Sequence, residues 1–220
     1  MLIIFDLDDT LIDTSGSTVP VKLKDALKAM VQAGLKVPSF DKALDLLTEV
    51  DSRSPNGEES IRTFLRNIKA DSSFAVIGAA EFYKPLHEDI TVKLLQGARE
   101  VLSVLQRKYT LVLVSKGSKE LQYQKMKKAG IDTSIFSKII ITEEYNKRQK
   151  YEEIMKEFKS TPLDTIVVGD KFYSDLLPAK ELGIKTVQVL WGRALKYPEE
   201  GADYKIKTLR DLPKIVEQLQ

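Results

Sequence analysis

The stretch that decides the reading is residues 1–13, MLIIFDLDDTLID. An apolar run at 2–5 passes directly into three aspartates, Asp6, Asp8 and Asp9. Short, apolar and rich in isoleucine, the run reads as a buried strand. Carboxylates at the end of such a strand repel one another, and burial raises the cost of ionising them. Either they turn out to solvent in an ordinary acidic turn, or they hold a cation and carry chemistry. A D-x-D pair alone favours the plain turn, so the rest of the chain has to decide.

The chain has 220 residues, enough for one sizeable core or for a core with a small second unit. Apolar residues make up 43% and charged residues 30%, which suits a soluble globular protein. The formal net charge is +2, and the most basic stretch, KRQKYEEIMKEFK (147–159), mixes both signs as an exposed helix face does. Nucleic acid is therefore not an expected partner. There is no cysteine, which removes disulfides and thiolate metal sites and fits a reducing cytosol. A single histidine, His87, argues against a His-based triad or a multi-His metal site. Any metal would be held by oxygen, which favours a hard cation such as Mg²⁺. The first apolar run is too short for a signal peptide, and no segment approaches the roughly 20 apolar residues of a membrane span. The expected location is the cytoplasm, away from membranes.

Five runs have the pattern of parallel strands covered on both faces: LIIF (2–5), TLVLV (110–114), KIIIT (138–142), TIVVG (165–169) and TVQVL (186–190). DYKIK (203–207) is a weaker sixth. Helical patterns alternate with them from residue 97 onward: GAREVLSVLQRK (97–108), SKELQYQKMKKAG (118–130), KYEEIMKEFK (150–159), YSDLLPAKELG (173–183) and LRDLPKIVEQLQ (209–220). Such alternation predicts an α/β fold, a Rossmann-like parallel sheet with helices on both faces. Residues 15–93 break it with helical patterns and no convincing strand, and are read as a small all-helical cap domain. The core domain is then 1–14 with 94–220. Within the cap, DSRSPNGEE (51–59) is the most loop-like segment. The charges of Arg53, Arg62 and Arg66 read as a solvated helix face, and Trp191 as core or rim packing.

In an open parallel sheet, ligands bind beyond the carboxyl ends of the strands. Asp6, Asp8 and Thr10 follow the first strand, and SKGS, starting at Ser115, the second. Lys147 and Lys150 come after the third, and GDKFYSD, with Asp170 and Asp175, spans the end of the fourth. One sheet edge thus gathers carboxylates, a hydroxyl and one or two ammonium groups. That inventory suits phosphoryl transfer: carboxylates hold Mg²⁺, while the cation, a lysine and loop N–H groups neutralise phosphate charge. A carboxylate can also act as nucleophile, with a second acid handling the proton.

Taken in order, DLDDT, the strand ending in Ser115, a later lysine and GDKFYSD resemble the haloacid dehalogenase (HAD) superfamily of phosphohydrolases. LLQGAREVLSVLQRKYTLVLVSKGSKELQYQKMKKAGI (94–131) resembles the region around that family's second motif. GDKFYSDLLPAKELGIKTVQVLWG (169–192) resembles its fourth motif with the following strand, and the helical insertion its type 1 cap. The resemblance implies strand order 5-4-1-2-3 and Mg²⁺ as cofactor. It implies Asp6 as nucleophile and metal ligand, and Asp8 as general acid/base with its backbone carbonyl on the metal. Ser115 would bind the transferring phosphoryl group, with Thr10, Lys116 and Gly117 around it. Lys147 would offset the negative charge, with Lys150 as the alternative, and Asp170 and Asp175 would complete the metal site. Three features depart from the family pattern. Asp9 stands where glycine is common, Lys116 where asparagine is frequent, and NKRQKYEEI (146–154) lacks the usual Lys-Pro pair.

The implied function is a Mg²⁺-dependent phosphohydrolase acting on a small phosphorylated metabolite through an aspartyl-phosphate. A phosphomutase would use the same residues with a sugar hydroxyl as acceptor. A catalytically idle module kept for binding is the reading from another class. Dehalogenation fits less well, because it has no use for the acid at Asp8 or the acid pair at 170 and 175. The sequence leaves the substrate and the oligomeric state open.

Overall fold

The computed structural model describes residues 1–197 and 200–219. Leu2–Phe5 forms β1, with all four side chains buried. β1 pairs in parallel with β2 (Thr110–Lys116) on one side and β4 (Thr165–Gly169) on the other. β3 (Lys138–Thr142) lies beyond β2, while β5 (Lys185–Val189) and β6 (Tyr204–Ile206) extend the sheet beyond β4. The order is β3-β2-β1-β4-β5-β6, the expected five-strand order read from the other edge, with the weak sixth strand added beside β5. Leu2 and Ile4 pack with Val112, Val167, Tyr151 and Ile154 in one cluster. Ile3 and Phe5 alternate to the other face and are equally buried. Burial on both faces is what makes these strands continuous apolar runs.

The helices of the sheet-bearing unit are α6 (Ala98–Leu105), α7 (Lys119–Ala129), α8 (Arg148–Glu157), α9 (Leu177–Lys180), α10 (Gly192–Lys196) and α11 (Leu212–Gln218), after the short α1 (Thr14–Ser17), α2 (Val19–Gln32), α3 (Phe40–Arg53), α4 (Gly57–Asn67) and α5 (Phe74–Phe82). The chain divides into two compact units: 1–14 with 91–220, and 15–90. The sheet-bearing unit resumes at residue 91, ahead of the expected 94, because the returning chain bonds to the segment after β1. Asp13 N–H donates to the Lys93 carbonyl at 2.8 Å, and Ile12 bridges to Leu94.

The helical unit has its own core of Leu23, Leu27, Met30, Leu47, Ile61 and Phe64. α5, FAVIGAAEF, has no amphipathic period for the sequence to show, and it packs closely on α2: a Cβ at Gly78 would sit 2.8 Å from Met30 Sδ. The loop expected at 51–59 contracts, because α3 runs to Arg53 and Asn56 caps α4 by accepting from Glu59 N–H at 3.0 Å. Ser60 Oγ donates to the buried Asp51 carboxylate at 2.7 Å across it. Arg62 pairs with Glu58 and Arg66 with Glu59, both exposed, as a solvated face should be.

β6 is short and depends on one carboxylate. Asp203 Oδ2 accepts from Thr186 N–H at 3.0 Å and Thr186 Oγ1 at 2.7 Å, while Lys185 and Lys180 lie at 3.2 and 3.4 Å. Burial pushes the Asp203 carboxyl up, but the Thr186 and Lys185 hydrogen bonds and the Lys180 charge outweigh it and hold the carboxyl below its ordinary value. The stability it contributes is therefore present above the unfolded-chain value of about 3.9. It is lost as pH falls through the lower folded value. Asp203→Ala is expected to cost about 2 kcal/mol in urea unfolding at neutral pH. The difference from the parent should shrink as the solution is acidified below pH ~4. A gap that stays constant down to pH ~2 would count against this role.

Candidate active site

After β1 the chain turns sharply. Leu11 and Ile12 N–H groups both donate to the Leu7 carbonyl, and Asp9 N–H donates to the Ile12 carbonyl at 2.8 Å. Asp9 sits at φ 56°, a left-handed conformation that glycine or a short polar side chain accepts. That is why aspartate can stand where the resembling family often has glycine. The turn leaves Asp6 buried at the strand end, with Thr10 Oγ1 at 3.5 Å from its Oδ2.

The sheet brings Asp6, Lys147, Asp170 and Asp175 together from three separate segments, those that follow β1, β3 and β4. Lys147, the residue before α8, is 1% exposed. Its Nζ lies 2.6 Å from Asp6 Oδ1, 2.7 Å from Asp175 Oδ1 and 2.9 Å from the Val114 carbonyl. All three ammonium protons have acceptors. Lys150 points elsewhere, to Glu144 and Glu153 at 3.9 and 3.6 Å.

Asp175 comes from a turn that the sequence reads as ordinary helix. Residues 173–183 were expected to form one helix; instead Phe172–Leu176 is a wide π-type turn, followed by the short α9. Leu176 N–H donates to the carbonyl of Lys171, five residues back, at 3.4 Å. The widened turn folds Asp175 back on the strand end, where its Oδ2 accepts from Lys171 N–H at 3.1 Å. Gly169 makes room: a Cβ there would lie 2.8 Å from Asp175 Cβ.

Carboxylate oxygens of Asp6, Asp170 and Asp175 lie within 4.8 Å of one another. Asp170 Oδ1 is buried and has no hydrogen-bond partner among the described residues. Burial, opposed by Lys147 and reinforced by Asp175 and Asp8, pushes the Asp6 carboxyl up to about 6. Burial likewise pushes Asp170 well up, against the pull of Lys171. Three clustered carboxylates, two of them on one ammonium, leave a surplus of negative charge and an orphaned oxygen. An all-oxygen donor set of this kind fits a hard divalent cation.

Asp8 lies in a different environment. Thr14 Oγ1 and Lys125 Nζ donate to its Oδ1 at 2.5 and 2.8 Å, and Gln122 Nε2 donates to its Oδ2 at 2.8 Å. Burial raises its carboxyl, but the Lys125 charge and these hydrogen bonds outweigh burial and bring it down to about 2. The same Gln122 amide donates to Ser115 Oγ at 2.6 Å. Gly117, at φ 149°, lies against Gln122, where a Cβ would come within 3.1 Å of its side chain. Lys116 ends β2 with its side chain exposed, and only its carbonyl reaches Gln122, at 3.2 Å. Gln122 and Lys125 did not emerge from the sequence reading. The available signal was a polar pair at 122 and 125, sharing the buried face of α7 with Leu121, Met126 and Ala129. Trp191, expected only to pack, donates its Nε1–H to Asp13 Oδ1 at 2.8 Å. His87 lies in the helical unit, 3.3 Å from Asp25.

Comparison with known proteins identifies the family. The family profile described as haloacid dehalogenase-like hydrolase matches residues 3–189. The chain is 26% identical over 227 residues to the glyceraldehyde 3-phosphate phosphatase of Pyrococcus furiosus, covering 100% of this chain and 92% of that protein. It is 28% identical over 232 residues to the protein of the same name from Methanocaldococcus jannaschii, covering 99% and 97%. The HAD-hydrolase YfnB from Bacillus subtilis, solved bound to magnesium, shares the fold with a TM-score of 0.66 at 16% identity, covering 98% of this chain and 97% of that one. No helix among the described residues is long and apolar enough to cross a membrane. With most of its length matched, the chain belongs to the haloacid dehalogenase-like hydrolase family, as a phosphatase-like member of it.

Proposed function

We propose that this chain is a Mg²⁺-dependent phosphatase that hydrolyses a small phosphorylated metabolite through an aspartyl-phosphate on Asp6. The reading rests on one observation above all: the buried cluster of Asp6, Asp170 and Asp175 around Lys147 at the carboxyl edge of the sheet. The names of the similar phosphatases make glyceraldehyde 3-phosphate the first substrate to try.

Asp6, Asp170, Asp175 and the backbone carbonyl of Asp8 would hold Mg²⁺. The bound cation supplies positive charge for the phosphoryl oxygens and for the carboxylates themselves. Asp6 attacks phosphorus with a carboxylate oxygen as the bond to the substrate's ester oxygen breaks. Asp8 gives that oxygen a proton, and the alcohol leaves. Water then attacks the aspartyl-phosphate, its proton passes to Asp8, and phosphate departs from a restored Asp6 carboxylate. In the substrate-free chain Asp8 is a carboxylate, the form the second step needs. A bound phosphoryl group adds negative charge beside it, which raises its proton affinity as the first step needs. Lys147 keeps Asp6 and Asp175 compatible in one buried space and offsets the charge of the phosphoryl group. Ser115 donates its hydroxyl proton to a phosphoryl oxygen, whereas the Gly117 N–H is already spent on the Thr142 carbonyl at 2.9 Å.

Phosphate release should be seen with glyceraldehyde 3-phosphate or another small phosphate ester in Mg²⁺, vanish in EDTA and return when Mg²⁺ is restored. Asp6→Asn should abolish it. A chain that releases no phosphate from a panel of sugar and triose phosphates would sink the hydrolase reading; transfer to a sugar hydroxyl would replace it with the mutase. Lys147→Met should lower kcat by about 10²-fold or more. It should also cost about 3 kcal/mol in stability, since it strands two buried carboxylates. Lys150→Met, whose partners are exposed, should change stability by about 0.5 kcal/mol or less. Equal losses in the two variants would remove Lys147 from the mechanism.

A further inference from the structure

Resting on the phosphatase reading above, we infer that Lys125 and Gln122 are positioning residues that lock the Asp8 carboxylate so that its Oδ2 carries the proton to the leaving oxygen. A carboxylate has about four acceptor sites, two on each oxygen. Thr14 and Lys125 fill both sites on Oδ1. Gln122 takes one on Oδ2, which leaves, among the described residues, a single free site on the carboxyl group, on Oδ2.

The same amide fixes Ser115. With Gln122 Nε2 donating to its Oγ at 2.6 Å, the serine acts there as acceptor, and its own O–H is left to donate. One side chain thus orients two groups that must meet the same phosphoryl ester: Asp8 at the ester oxygen and Ser115 at a non-bridging oxygen. Lys125 is almost fully withdrawn from solvent, its side chain 10% exposed. Burying and immobilising a lysine side chain is costly in desolvation and rotamer entropy. Here that cost fixes the rotation of one carboxylate. Both residues come from the first two turns of α7, whose start is itself set by Ser118 Oγ accepting from Leu121 N–H. In the step concerned, the Oδ2–H bond breaks and the proton forms a bond to the ester oxygen. The P–O bond electrons stay with that oxygen, and Asp8 is left as a carboxylate.

The test compares leaving groups. An alkyl ester needs its oxygen protonated as it departs, whereas p-nitrophenolate leaves without that help. kcat/KM covers the steps up to this departure, so it would be measured for glyceraldehyde 3-phosphate and p-nitrophenyl phosphate. Asp8→Asn calibrates the signature. Lys125→Met is expected to lower the alkyl value by about 10²-fold while lowering the aryl value much less. Lys125→Arg, which keeps a charged donor, should recover most of the loss. Gln122→Leu, which also releases Ser115, should lower both values but the alkyl value further, and decides the matter should Lys125→Met not fold. If wild type cleaves neither p-nitrophenyl phosphate nor any alkyl ester of the panel, the phosphatase reading itself has failed; if the panel gives a better alkyl ester, that one replaces glyceraldehyde 3-phosphate. If wild type cleaves both and Asp8→Asn separates them, but Lys125→Met and Gln122→Leu lower both equally, the positioning role is overturned.

Discussion

Three buried carboxylates at the end of a parallel strand would drive one another apart or take up protons if nothing opposed them. The Lys147 ammonium sits between two of them and spends its third proton on the carbonyl of Val114. Its geometry depends on the sheet order. β2 must lie beside β1 for Val114 to be in reach, and β4 on the other side for Asp175 to return. The ion pair alone does not neutralise the cluster: Asp170 keeps an oxygen with no partner among the described residues, and burial pushes both Asp6 and Asp170 toward the protonated form. The cluster holds more negative charge than the Lys147 ammonium offsets.

Around that centre, local backbone departures place the side chains. Asp9 takes a left-handed conformation to turn the chain after β1, Gly117 lets the segment after β2 lie against Gln122, and Gly169 lets Asp175 approach the end of β4. The π-type turn at Phe172–Leu176 rotates Asp175 toward the strand end where a regular helix would carry it elsewhere. Widened turns of this kind are often found at functional sites. The two acids of the first segment then live in opposite electrostatic settings. Asp6 is pushed up by burial among other acids, while Asp8 is held down by Lys125, Thr14 and Gln122. Divergent settings for neighbouring carboxylates are what the proposed division of roles, attack by Asp6 and proton transfer by Asp8, would use.

Much of the fold was legible because its signals are local. The five main strands stand out as short β-branched runs, and α7 carries its own stop at Gly130, at φ 67°. α5 was not legible, since an apolar helix without a polar face has no period to reveal it. The wide turn at Phe172–Leu176 was hidden for another reason: its residues have helical spacing, and only the pull of Lys147 and Lys171 N–H on Asp175 distinguishes a π turn from an α turn. Gln122 and Lys125 were passed over because polar residues in a charged helix look solvated until the helix is docked.

The sequence by itself determined the alternation of strand and helix, the interruption after the first strand, and the order in which acids, hydroxyl and lysine appear at strand ends. Those follow from side-chain periodicity and from the rule that parallel strands deliver their carboxyl ends to one edge. The tertiary structure alone decided between Lys147 and Lys150, three positions apart in the chain, because the choice depends on which one the docking of α8 turns toward Asp6 and which toward Glu144 and Glu153. It alone joined Asp8 to Gln122 and Lys125, more than a hundred residues away. Hydrogen bonds of that range are set by packing, and packing is a property of the folded chain rather than of any segment of it.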